Sequence, residues 1–153
     1  QGMTTMRERE GANIQADLLR RTDTMSDIIE SIAERRPQII QLYEERLQKK
    51  MTAILEKLQV QPEKDRLLQE VAVYADKVDF TEEVVRFRSH VLQLKGLLEA
   101  SGDTGRKLDF LIQEMNRETN TIGSKAQDLQ VTEQVLRLKN EIEKIREQVQ
   151  NIE

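Results

Sequence analysis

The chain has 153 residues, 34% of them charged and 3% aromatic, with six Gly, two Pro and no Cys. That profile suits long solvent-exposed helices, and it excludes disulfides, thiolate metal sites and a thiol nucleophile. The net charge of −4 gives no overall basic field of the kind nucleic-acid binding usually shows, although a local groove can still be basic.

No apolar run approaches the roughly 18 residues of a membrane span, and no signal peptide is visible, so no membrane partner is expected. The opening Gln1-Gly2-Met3 looks like a tag remnant and is set aside. Ile14, Leu18, Met25, Ile28 and Ile32 recur at helical spacing, which predicts helix over residues 5–35. Pro37 then interrupts, and Ile40, Tyr43, Leu47, Met51, Ile54 and Leu58 continue a stripe. Proline costs about 3 kcal/mol inside a helix. A break or kink near Arg36 is therefore expected, with one long bent helix as the competing view. Residues 4–60 read as a helical arm, and 61–153 as a helical domain.

Pro62 marks the start of a second helix, running to about Val78. Asp79 or Thr81 can cap the next one, and Glu82 and Glu83 suit its positive dipole end. Phe80, Val84, Phe87, Val91, Leu94 and Leu98 alternate steps of four and three, as in a coiled-coil seam. A turn over 101–104 follows. Leu108, Leu111, Ile112 and Met115 share the next apolar face, and Gly123 is the expected stop. Val131, Val135, Leu138, Ile142, Ile145, Val149 and Ile152 stripe the last helix. The expected fold is all-α: five or six amphipathic helices paired as antiparallel hairpins or coiled coils rather than wrapped round a large core.

Advancing about 100° per residue places Glu83, Arg86 and His90 together on one flank of the Phe80–Leu98 stripe. On the next helix Glu114, Glu118 and Thr121 share one flank, and Asp109, Gln113, Asn116 and Asn120 the other. An antiparallel hairpin about 101–104 sets His90 level with Met115, and Arg86 level with Glu118. The single histidine is thus offered two carboxylates four residues apart. One imidazole with two carboxylates can hold a divalent ion that activates water. The competing reading is a salt-bridged surface, with Glu83 paired to Arg86. Arg86, Arg88, Arg106, Lys107, Arg117 and Lys125 suit phosphates, and Asn116 or Asn120 a base or 2′-OH. Interleaved acids favour ordinary ion pairs for those cations if the residues alone are weighed.

The runs "DFTEEVVRFRSHV", "GRKLDFLIQEMNRETNTIGSKAQD" and "EIEKIREQVQNIE" resemble the C-terminal half of the YicC-type bacterial endoribonucleases, and "MREREGANIQADLL" resembles the segment before it. The resemblance spans nearly all of residues 6–153. It implies a preceding N-terminal domain, whose Met-Thr-Gly-Phe-Gly opening is not in this sequence. It implies metal-dependent cleavage of single-stranded RNA, a link to stress and homo-oligomers; a cytoplasmic location is expected instead from the absence of cysteine, which is compatible with it. It points to Arg88, His90, Glu114, Asn116, Arg117, Glu118, Asn120, Ser124 and Lys125. The resulting expectation is catalysis and Mn²⁺ or Mg²⁺ ligation by His90, Glu114 and Glu118. RNA contact is assigned to Arg86, Arg88, Arg106, Lys107, Arg117, Asn116, Asn120, Ser124 and Lys125, with no DNA partner. The alternative is an oligomerisation or adaptor module whose chemistry lies in the other half.

Overall fold

The computed structural model describes residues 2–61, 63–100 and 105–152, with side chains for 11–61, 63–100 and 105–150. Pro62 and the turn over 101–104, both invoked above, lie outside the described residues, as does the side chain of Ile152.

The described residues are helical almost throughout, with no strand. They form α1 (Gly2–Lys57), α2 (Lys64–Ala75) with a 3₁₀ turn (Asp76–Val78), α3 (Thr81–Glu99), α4 (Gly105–Ala126) and α5 (Leu129–Ile152). Four of them close into a ring: α1 lies against α3 and α5, and α4 against α3 and α5. Cross-helix contacts give the directions. Arg88 meets Glu30 while Lys95 meets Asp23, so α3 runs antiparallel to α1. Arg86 meets Glu118 while Lys125 meets Glu83, so α4 reverses α3. Arg35 meets Asp128 while Arg21 meets Glu141, so α5 reverses α1. The result is an up-down-up-down four-helix bundle.

Each stripe read from the sequence is narrow, yet the stripes merge. Leu18 to Ile32 of α1, Phe80 at the cap of α3 and Val84 to Leu98 along it, Leu108 to Met115 of α4 and Val131 to Val149 of α5 share one buried cluster. Four narrow faces aimed at one axis enclose a core that two could not. Residues 18–39 of the expected arm therefore share a core with residues 78–149.

Helix α1 is not broken at Pro37, which lies inside it. Ile32 and Ile39, buried on either side of the proline, each contribute roughly 1.5–3 kcal/mol. Arg35 is tied to Asp128 and Arg36 to Asp79. Those contacts together offset the local cost. Beyond Tyr43, α1 continues to Lys57, about 20 Å further. Helix α2 packs against α1 and buries Leu67, Val71 and Ala75, with Leu67 beside Met51 and Leu55. Ile54 and Leu58, read from the sequence as part of the stripe, are exposed there.

Gly123 is not the stop of α4, which runs on to Ala126. A Cβ on Gly123 would lie 3.4 Å from a Val135 methyl, so the glycine sits where α4 and α5 approach closely. The chain turns instead at Gln127, which takes a positive φ of 48°. Asp128 then accepts the Val131 amide at 3.1 Å and caps α5. At the start of α3, Asp79 accepts the Thr81 amide at 3.0 Å.

Candidate functional site

The antiparallel register places one continuous seam on the outer side of α3 and α4. On α3, Glu83, Arg86, His90, Gln93 and Leu97 follow one another in steps of three and four. On α4, Lys107, Leu111, Glu114, Glu118, Thr121 and Lys125 do the same. Such steps keep one face of a helix in view. The expected levelling of Arg86 with Glu118 is observed, with Arg86 Nε donating to Glu118 at 3.3 Å.

A charge network occupies one end of this seam. Glu83 and Glu118 are both 3% exposed. Lys125 Nζ donates to Glu83 at 2.7 Å. Arg86, half-exposed, reaches Glu83 at 3.6 Å, Glu118 at 3.3 Å and the exposed Glu82 at 3.7 Å. The Glu118 hydrogen bond and charge raise the Arg86 guanidinium above its ordinary range, so Arg86 stays charged. Glu83 Oε2 is buried and makes no hydrogen bond to protein. Glu83 thus holds two cations, although the sequence suggested only a pair with Arg86.

His90 lies midway along the seam and is partly buried. Its Nδ1 is buried without a protein partner. Glu114 is partly buried and faces Arg117 at 3.8 Å. Among the described residues, no three His, Asp or Glu side chains group at metal-holding distance. The expected triad of His90, Glu114 and Glu118 is therefore not assembled. Both of its carboxylates face guanidinium groups, which compete with a cation for the same oxygens. As arranged, these residues do not fit a divalent ion.

The expected RNA-contacting residues separate by face. Arg88 leaves the seam altogether and donates twice to Glu30 of α1, at 2.6 and 2.8 Å. That fork raises Arg88 and holds the Glu30 carboxyl below its usual range. Lys125 is spent on Glu83. Asn116 and Asn120 lie on the flank of Gly123, which faces α5, with Asn116 partly buried and Asn120 exposed. Arg117 and Ser124 are exposed. Arg106 and Lys107 are exposed at the opposite end of the seam from the charge network.

There the helices part into an open groove of about 530 Å³, lined by Gln93, Gly96, Leu97, Arg106, Lys107 and Phe110. Phe110 is 59% exposed, whereas Phe80 and Phe87 are fully buried. Sequence reasoning passed over Phe110. The signal was present, since Phe110 stands off the Leu108–Leu111–Ile112–Met115 face.

Residues 32–153 match the family described as Endoribonuclease YicC-like, C-terminal. The chain belongs to that family. It is similar to a probable endoribonuclease YicC of Clostridioides difficile (strain 630), with 48% identity over 97% of this chain and 50% of the relative. It is also similar to a probable endoribonuclease YicC of Haemophilus influenzae, with 35% identity over the same shares. The chain thus spans about half the length of the curated relatives it matches. The match with the YicC-like family includes the whole α3–α4 seam. No helix among the described residues is long and apolar enough to cross a membrane.

Proposed function

We propose that this chain is the C-terminal half of an endoribonuclease that cleaves phosphodiester bonds in single-stranded RNA, and that the α3–α4 seam faces the RNA. The observation that carries the reading is the family match over residues 32–153, supported by relatives named as probable endoribonucleases. The seam supplies suitable chemistry. Half-exposed Arg86 can turn to a phosphate while Lys125 keeps Glu83 neutralised, and His90 stands one turn along with an unpartnered nitrogen. A buried carboxylate released from Arg86 by that phosphate would be available for proton transfer.

The test is cleavage of a single-stranded oligoribonucleotide by the full-length protein and by its His90→Ala, Glu114→Ala and Glu118→Gln variants, with and without Mn²⁺. Dependence on Mn²⁺ or Mg²⁺ is implied by the family resemblance alone, so the metal is an arm of the experiment. A loss of at least tenfold in His90→Ala or Glu118→Gln is expected. Unchanged cleavage in all three variants would remove the seam from the chemistry.

A second reading, that this half assembles copies of the protein or docks a partner, rests on the projecting arm. Ile54, Leu58, Val60, Leu68 and Val73 are each at least half exposed on α1, α2 and the turn between them. Exposed apolar side chains that gather into a contiguous patch are a usual mark of protein contact. Ile54→Ser with Val73→Ser should lower the oligomer order seen by light scattering if copies meet there. An unchanged mass would refute assembly of copies through this surface.

A further inference from the structure

Three features of the groove at the 93–111 end belong together. Its wall carries Phe110, the one phenylalanine held in solvent. Its floor is open at Gly96, where a Cβ would meet nothing within 4 Å. Its rim carries Arg106 and Lys107, exposed, on a chain of net charge −4. No carboxylate is among the described lining residues. Among the described residues of the whole chain neither cation makes an ion pair within 4.0 Å, whereas Arg86, Arg88 and Lys125 do.

An exposed ring beside two exposed cations is poorly matched to an apolar protein surface, which would have to bury both charges. It is well matched to a ligand that is flat and apolar on one side and anionic on the other. A nucleotide has that character: its base stacks on an aromatic face while its phosphate takes the cations. We propose that this groove is a stacking and phosphate cradle for single-stranded RNA, with a base on Phe110 and phosphates on Arg106 and Lys107. The proposal rests on the RNA reading above and adds a binding subsite to it. From Leu97 to Glu83 the seam runs about 21 Å along α3. A strand seated on Phe110 is therefore led past His90 towards Arg86. Phe110, Arg106 and Lys107 bind and position the strand, and none of them touches the reacting atoms.

The test is titration of this chain into a 12-nucleotide single-stranded RNA carrying 2-aminopurine, read by quenching and by anisotropy over a range of salt. Phe110→Ala should weaken binding about 5- to 100-fold and abolish the quenching, with Phe110→Trp restoring both. Arg106→Gln and Lys107→Gln should each lower the salt slope by about 0.7, the value for one phosphate contact on a single strand. Phe110 is exposed, so melting of Phe110→Ala should match wild type within a few degrees. If wild type binds and Phe110→Ala binds equally well, the cradle is wrong and the RNA reading survives. Equal binding by Phe110→Leu shows apolar contact without stacking and also overturns it. If wild type binds no RNA at low salt, RNA contact by this half fails, and the cradle with it.

Discussion

Lys125→Met is the sharpest probe of the charge network, because it removes the 2.7 Å donor from a carboxylate that is 3% exposed. Breaking a buried ion pair from one side costs about 3–5 kcal/mol, since the surviving charge is left desolvated. Two features of this site lower the figure. Arg86 remains 3.6 Å from Glu83, and the Lys125 side chain is itself 35% exposed. The expected cost is therefore about 2–3 kcal/mol. For a chain of this length that is a fall in Tm of about 5–10 °C. Urea unfolding of Lys125→Met, Glu83→Gln and the double variant forms a cycle that isolates the pair. The double variant should recover most of the loss, because it leaves no unpaired charge. A Lys125→Met protein within about 0.5 kcal/mol of wild type, or a cycle without coupling, would refute the view that Lys125 serves the fold.

Arg88→Gln should cost about 0.5–1 kcal/mol through loss of the exposed fork to Glu30, and should leave the salt slope of RNA binding unchanged; a reduced slope would return Arg88 to the RNA face. Gly123→Ala should stabilise α4 by about 0.5–1 kcal/mol, because the new methyl just meets Val135, whereas Gly123→Leu should destabilise by about 1–3 kcal/mol. Urea midpoints of both variants check this. Pro37→Ala should raise Tm, by up to about 3 kcal/mol of restored helix, as the proline is exposed and inside α1; an unchanged Tm would show that α1 bears no cost there. Burial pushes the Asp128 carboxyl up, but the Arg35 guanidinium and the Val131 amide outweigh it and hold it below the usual range. Its stabilisation is therefore complete above the ordinary carboxylate value near 4 and lost as pH falls below it. Asp128→Asn should flatten the fall in urea midpoint between about pH 5 and pH 3.

In α3, α4 and α5 the local periodicities were reliable guides to burial, whereas along α1 beyond Ile39 they were not. All six seam residues from Phe80 to Leu98, and Val131 to Val149, lie in the core, because spacing on one helix decides which side chains share a face. The antiparallel register was also legible, because a short connection over 101–104 permits little else. Pro37 and Gly123 misled for a common reason. Each carries a strong local preference, and each was overruled by contacts distant in sequence: Arg35 and Arg36 with Asp128 and Asp79, and Gly123 with Val135. The expected triad is not grouped among the described residues, for a related reason. Helical geometry brings His90, Glu114 and Glu118 to one height and flank, but says nothing of which cations reach the carboxylates first. Arg86 lies on the same flank as His90 and is long enough to claim Glu118.

What the sequence by itself determined is the all-α class, the apolar faces, the family and the set of charged residues along α3 and α4. These depend on residue type and on spacing within one helix. What only the tertiary structure decided is how those charges are spent. Arg88 turns to α1, Lys125 and Arg86 neutralise Glu83 and Glu118, and Arg106 and Lys107 stand beside an exposed Phe110. Long cationic side chains reach several partners from one backbone position, and the choice among them is made by neighbours that the folded bundle brings close.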